Sequence, residues 1–335
     1  MTVLLYTDDR FLEHDTGPYH PERPARLGAA LKGLSHHGLD EALELRSPRP
    51  ATDAELELVH PPSYISALEQ FCAKGGGDLD PDTPVSTRSA EIARLAAGAG
   101  LDAIEQLSAG GADSAFLMVR PPGHHATATR AMGFCLYNSA AIAAAVLAER
   151  GERVAIVDFD AHHGNGTNDI FYNRDDVLYV SWHQDHLYPG SGAVDQWGSA
   201  AGVGWTLNMP MPPTATGEHY RRSLEELVAP LIAKHGSTWL IISAGFDAHR
   251  DDPLTDLGLT SGDFADITTD LVQLVEPGRV LVYLEGGYDL TAVAESTAAT
   301  VGALVGEHLH PEKPSAGGPG SEAITSAELL RRQLA

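Results

Sequence analysis

The chain has 335 residues, 43% hydrophobic and 20% charged, enough for one large soluble globular domain or two ordinary ones. Its formal net charge of −24 argues against direct contact with nucleic acid, whose phosphates need clustered Lys and Arg. The same charge is compatible with a cationic substrate, although acidity also serves solubility alone. No apolar run approaches a membrane span, and Cys72 and Cys135 form neither a disulfide framework nor a zinc-ribbon spacing. The opening MTVLLYTDDR meets Asp8 and Asp9 without a basic start, unlike a secretory signal, so a reducing cytoplasm is the expected compartment.

In chain order, a strand is predicted over 3–6, a Pro-rich loop over 18–24 and a helix over 63–73. A Gly- and Asp-rich loop at 73–84 precedes a helix over 89–108 and a strand over 115–119. A helix over 138–150, strands over 154–160 and 177–183, and a helix over 217–234 follow. The remaining expectations are a strand over 239–247, a helix over 261–275, a strand over 279–284 and a helix over 290–306. Residues 313–320 read as a mobile Pro/Gly/Ser-rich linker, and 323–334 as a short final helix. The strand runs are continuously apolar, as in parallel strands covered on both faces. Their alternation with helices predicts an α/β parallel sheet with helices on both faces.

Four of these strands end in reactive residues: MVRPPGHHA, VDFDAHH, VSWH and ISAGFDAH. A fifth runs into LEGGY. Ligands of open parallel sheets bind beyond the carboxyl ends of the strands, so these residues are expected along one edge. Asp160 and His162 offer an oxygen and a nitrogen suited to zinc, and Asp247 is the best third ligand, leaving a position open for water. Taken alone, the pair also fits a hydrogen-bonded strand end. His124 and His125 read as a loop feature or, beside a dication, as a pair sharing proton transfer and charge tuning. Gly286 and Gly287 permit a sharp turn that presents Tyr288 either to an oxyanion or simply to the interior. Gly133 and Phe134 are candidates for an apolar tunnel wall. Cys135 reads as a small buried residue without a cue for a lowered pKa.

Together these segments resemble the histone deacetylase family, within the arginase-like α/β fold. The matching motifs run in family order: HPERPARL, RPPGHHA, AMGFC, DFDAHHGNGT, VSWHQD, SAGFDAHRDDPL and LEGGY, spanning residues 20–288. GNGT and FDAHRDDPL are similar to the class II branch and its bacterial relatives. The resemblance implies a single catalytic domain over 1–312, built on a central, mostly parallel eight-stranded sheet with helices on both faces. It implies zinc on Asp160, His162 and Asp247, with iron able to replace it because ligand type alone rarely decides between them. It also implies structural potassium at Asp158, Asp160, His162, Ser181 and Trp182, mostly through carbonyl oxygens. A second potassium position maps to Phe171, Arg174, Val177 and Trp205.

The implied reaction is hydrolysis of an N-acetyl amide by a metal-activated water. His125 is then general base and acid, His124 its electrostatic partner, and Tyr288 the oxyanion donor. Gly133, Phe134 and Tyr188 line the acyl-lysine tunnel, Asp82 holds the substrate amide, and Arg26 lies below the metal. Asp158 becomes a supporting group for His124 rather than a zinc ligand. Asn165, where some branches carry Asp, raises the pKa of His125 less than a carboxylate does and leaves that histidine neutral at pH 7. Leu254 stands where polyamine-selective relatives carry Glu, which favours acyl-lysine or broader substrates. Tyr19, where small residues are common, is expected to narrow the entrance. The implied partners are an acetylated lysine peptide or protein, or a small acetylated amine, with no membrane and with a homo-oligomer left open. An acetylpolyamine amidohydrolase is the main alternative. An arginase-like ureohydrolase lacks support because no D-x-H-x-D pattern begins at Asp160, and a non-enzymatic binding module should have lost a ligand or Tyr288.

Overall fold

The computed structural model describes residues 1–333. The elements are β1 (Val3–Tyr6), α1 (Ala25–His36), β2 (Leu43–Arg46), α2 (Asp53–Leu56), α3 (Pro62–Ala73), β3 (Gly77–Asp78) and β4 (Pro84–Val85). Next come α4 (Ser89–Ser108), β5 (Ser114–Leu117), α5 (Ser139–Glu149), β6 (Val154–Asp158), α6 (Asn165–Phe171), β7 (Val177–Gln184) and β8 (Thr206–Met211). The last are α7 (Gly217–Ser223), α8 (Ala229–His235), β9 (Trp239–Ala244), α9 (Ser261–Val272), β10 (Val280–Leu284), α10 (Leu290–Val305) and α11 (Ser321–Arg331).

Eight strands form one sheet in the order β2-β1-β5-β10-β9-β6-β7-β8, and every pairing is parallel. β3 and β4 make a separate antiparallel ribbon near the site. The central strands VAIVD, WLIISA and VLVYL are buried at every position, which is why they read as apolar runs without alternation. Crossovers between parallel strands are right-handed. Connections running toward β8 therefore carry α4, α5 and α6 over one face, and those running back carry α1, α7, α8 and α9 over the other. α4 and α5 pack together against the sheet, and α10 packs between α1 and α9. Ala-rich faces let α5 lie close to β6 and β9.

The strands predicted to 160 and 247 end instead at Asp158 and Ala244. The ladder explains this, since Asp158 is paired with Ser181 on one side and Ser243 on the other. Beyond that register the chain leaves the sheet and turns into the site. The single helix expected over 217–234 is interrupted by a widened turn at Leu224–Val228, just before Pro230, which has no N–H to donate. β2 and β8 escaped prediction because LELR is a four-residue, half-exposed edge and TLNMPM carries Asn208 and Pro210 in place of a β-branched run. α1 and α6 begin inside the motifs themselves, where helical periodicity is masked. Residues 313–320, read as a mobile linker, carry hydrogen bonds to both α7 and α9. Ser315 Oγ donates to Asp263 (2.5 Å) and accepts the Gly217 N–H (2.9 Å), and the Gly317 N–H donates to Glu218 (2.6 Å). Leu334, the end of the predicted final helix, lies outside the described residues.

Candidate active site

Parallel pairing brings the carboxyl ends of β5, β6, β7, β9 and β10 to one edge, and the segments leaving them converge there. Asp160 and His162 come from the turn after β6, and Asp247 from the turn after β9. Their ligand atoms lie within 4.8 Å of one another, all buried or nearly so. His162 Nδ1 is 2.9 Å from Asp247 and 3.2 Å from Asp160. The outer carboxylate oxygens are anchored to the main chain: the Gly286 N–H donates to Asp160 and the Ala161 N–H to Asp247, both at 2.8 Å. Such anchoring fixes the donors in advance. A Cβ on Gly245 would come within 2.0 Å of Asp160, and one on Gly286 within 2.4 Å of Asp247, so both glycines are needed for the carboxylates to fit.

Burial disfavours a charged His162, but Asp247 and Asp160 outweigh it and raise its pKa to about 10. The pocket thus favours positive charge at one point between an imidazole and two carboxylates. That donor set fits a small divalent ion.

The histidine pair divides by partner. His124 Nδ1 donates to Asp158 at 3.0 Å, and Asp158 also accepts from the Tyr179 hydroxyl at 3.1 Å. Burial lowers the His124 pKa, yet Asp160 and Asp158 push it well above the ordinary histidine value. His125 Nδ1 faces the Asn165 carbonyl oxygen at 2.8 Å, while the Asn165 amide donates to the His125 main-chain oxygen at 3.4 Å. Nδ1 therefore carries the proton and Nε2 keeps its lone pair. Burial, then the neighbouring His124 and His162, hold the His125 pKa well below the usual value. The neighbouring imidazoles, with ring centroids 4.1 Å apart, are thus shifted in opposite directions.

A cavity of 250 Å³ leads to this cluster and is lined by Asp82, His125, Gly133, Phe134, His162, Leu187, Tyr188, Leu254 and Tyr288. Gly133 and Phe134 have φ of +54° and +69°. A Cβ at 133 would strike the His125 ring at 2.4 Å, so only glycine leaves the channel open beside it. Tyr188 forms the facing wall, its ring edge-on to His125 at 5.2 Å. Tyr19, expected to narrow the entrance, does not line the cavity and is 97% exposed. Its neighbour His20 instead packs edge-on against Phe134 at 4.6 Å.

Arg26 is fully buried beneath the turn after β10 and donates to the carbonyls of Gly287 (2.6 Å) and Glu285. Its guanidinium lies 5.2 Å from the centre of the Tyr288 ring. Ser181 lies opposite Asp158 in the ladder, with Trp182 next to it. Of the other four positions, Phe171 ends α6 and Val177 opens β7. The Phe171 and Trp205 carbonyls each accept one backbone N–H at 3.0 Å, from Arg174 and Tyr179. Each keeps a second lone pair.

Three buried acids were missed. Glu22 bridges Arg120 (2.6 and 2.8 Å) and Arg26 (3.2 Å). Glu285 accepts the N–H groups of Gly123 (2.7 Å) and His124 (3.2 Å), and burial raises its pKa to about 7. Asp252 accepts the Tyr288 N–H at 2.7 Å. Glu285 could have been found, because an acid following the apolar run VLVYL poses the same question as Asp158. Nothing in RDDPL distinguishes Asp252 from Asp251.

A model of the histone deacetylase domain matches residues 20–304. The chain belongs to the histone deacetylase family. It is a hydrolase of that deacetylase and amidohydrolase group. A probable deacetylase of Archaeoglobus fulgidus is 37% identical over 92% of this chain and 88% of its own. The human polyamine deacetylase HDAC10 is 35% identical over 98% of this chain and 52% of its own. The crystal structure of the HDA15 HD domain superposes with a TM-score of 0.91 at 36% identity, covering 99% of this chain and 94% of that one. No described helix is long and apolar enough to cross a membrane.

Proposed function

We propose that this histone deacetylase family member hydrolyses the N-acetyl amide of acetylated lysine side chains, with a divalent ion held by Asp160, His162 and Asp247. The observation that carries this reading is the convergence of a three-donor cluster, a buried histidine oriented by Asn165 and a tyrosine on one narrow channel. Zinc, or ferrous iron in its place, supplies Lewis acidity to the acetyl carbonyl and to water when bound there. Gly133, Phe134 and Tyr188 grip the apolar lysine stem and exclude water, and Asp82 meets the backbone amide at the mouth. His125 Nε2 accepts the proton of the attacking water and then delivers it to the departing amine. The His124–Asp158 pair places positive charge beside the developing oxyanion, and the Tyr288 hydroxyl donates to that oxygen. Asp158, Ser181 and Trp182, with Asp160 and His162, form the proposed potassium position, and Phe171, Arg174, Val177 and Trp205 a second.

The likeness to a polyamine deacetylase favours a second reading, hydrolysis of N-acetylated polyamines. Leu254 at the channel mouth speaks for the first, since an apolar side chain offers no counter-charge to a second amine. Turnover of an acetyl-lysine peptide and of N-acetylated polyamines, measured side by side, decides between them. The peptide is expected to be the better substrate, and exclusive turnover of polyamines would reverse the assignment. Exhaustive chelation is expected to abolish activity; full activity without bound metal would overturn the metal-assisted reading. Tyr288→Phe is expected to lower kcat by about 10²–10³ while bound metal is retained.

A further inference from the structure

Outside the site, one cluster of titratable groups joins the chain beyond residue 304, where the family match ends, to a loop that lines the channel. His249, Asp251 and Glu312 offer donor atoms within 4.8 Å of one another. The donor atoms of His249 and Glu312 are already engaged in hydrogen bonds, while the exposed Asp251 carboxylate stays 3.8 Å from His249 Nδ1. The Asp251 N–H donates to His249 Nδ1 at 3.2 Å, so Nε2 carries the proton and donates to Glu312 at 2.6 Å. The second Glu312 oxygen accepts from the Arg250 guanidinium. The oxygen bound to His249 also accepts the Ser261 N–H, at 3.1 Å, at the start of α9. The cluster is therefore a clamp on the 249–256 loop rather than a metal site.

That loop runs directly into the active site. The His249 carbonyl accepts the Asp252 N–H at 2.9 Å. The buried Asp252 carboxylate then accepts the Leu254 N–H at 3.0 Å and the Tyr288 N–H at 2.7 Å. Leu254 and Tyr288 both line the cavity. A continuous series of bonds thus links Glu312, His249, Asp252 and the main chain of Tyr288. Charge-assisted bonds such as those at Glu312 are the stronger kind, and they fix geometry as well as adding energy.

We propose that Glu312 is a positioning residue for the reaction: it clamps the 249–256 loop so that Asp252 holds the Tyr288 main chain and keeps the tyrosine hydroxyl at the acetyl carbonyl. This rests on the role assigned to Tyr288 above. Its physical basis is that small misplacements of a reacting group, even from distant causes, are costly in rate.

A double-mutant cycle in the full-length, metal-loaded enzyme tests it, using Glu312→Gln, Tyr288→Phe and both together. kcat, KM and bound metal are measured with an acetyl-lysine peptide. Glu312→Gln is expected to lower kcat about tenfold, keep KM within about twofold, and cause no further loss in the Tyr288→Phe background. Asp252→Asn should reproduce that pattern. The same factor lost in both backgrounds, or an unchanged kcat in Glu312→Gln, overturns the proposal while leaving the role of Tyr288 intact. Near-normal kcat in Tyr288→Phe instead overturns that role and this route with it. If Glu312→Gln does not fold, Arg250→Ala, at a side chain 53% exposed, enters the same cycle with the same expectations.

Discussion

Asp158, Asp160 and Asp247 leave the ends of β6 and β9 and are at most 1% exposed, whereas Tyr188 and Leu254 sit on loops and are 37% and 40% exposed. The floor of the site inherits its precision from the parallel ladder, in which Asp158, Ser181 and Ser243 lie side by side. Main-chain N–H groups of Ala161 and Gly286 then fix the carboxylates that follow. The rim depends on local loop bonds, such as the 3.2 Å contact between the His20 ring and the Asp82 carbonyl. Floor and rim thus rest on different supports, ladder register beneath and loop bonds above, and under the proposed function a change at the rim need not disturb the floor.

The most severe way to break the floor is Asp247→Asn. It removes one anionic donor of the proposed metal cluster, and bound metal is expected to fall together with kcat by on the order of a thousandfold. Metal content and turnover measured on the same sample check this; normal metal content would show that Asp247 is not a ligand. Glu22→Gln strikes the same floor from below without touching the cavity. Burial opposes the charge of Glu22, but Arg120 outweighs it and holds the pKa at about 2, below the ordinary 4.5. A depressed carboxylate stabilises the fold above pH 4.5 and loses that contribution as pH falls toward 2. Each pKa unit is worth about 1.4 kcal/mol, so Glu22→Gln should cost roughly 3 kcal/mol at pH 7 and flatten the acid dependence between pH 4.5 and 2. Denaturant melts of both proteins across that range test it, and parallel curves would remove Glu22 from the account.

The smallest expected effect lies at the rim. Leu254→Glu should shift the ratio of kcat/KM for acetylpolyamine over acetyl-lysine peptide by about tenfold, with stability unchanged to within about 0.5 kcal/mol. Loss of stability comparable to that of Glu22→Gln would erase the distinction between floor and rim.

Reading the sequence from its strand ends reached most of the floor. An apolar run ending in Asp-x-Asp-x-His or in Phe-Asp is anomalous in any soluble core, because burying charge is costly unless it is paired. The supports beneath were less legible. Glu22 and Arg26 lie one helical turn apart, an ordinary spacing for an exposed pair, and only the fold buries them with Arg120. Tyr19 misled because its place in a motif suggested the entrance, whereas the chain directs His20 inward and leaves Tyr19 in solvent.

By itself the amino-acid order determined an α/β architecture and which residues were chemically out of place, since apolar continuity and isolated polar groups are local properties. Tertiary structure decided how those residues meet: that Asp247 faces His162, that Asp252 and not Asp251 holds Tyr288, and that Glu312 reaches back to His249. The reason is that a parallel sheet joins strands distant in the chain, so contacts across its edge follow strand order and register, which no local pattern encodes.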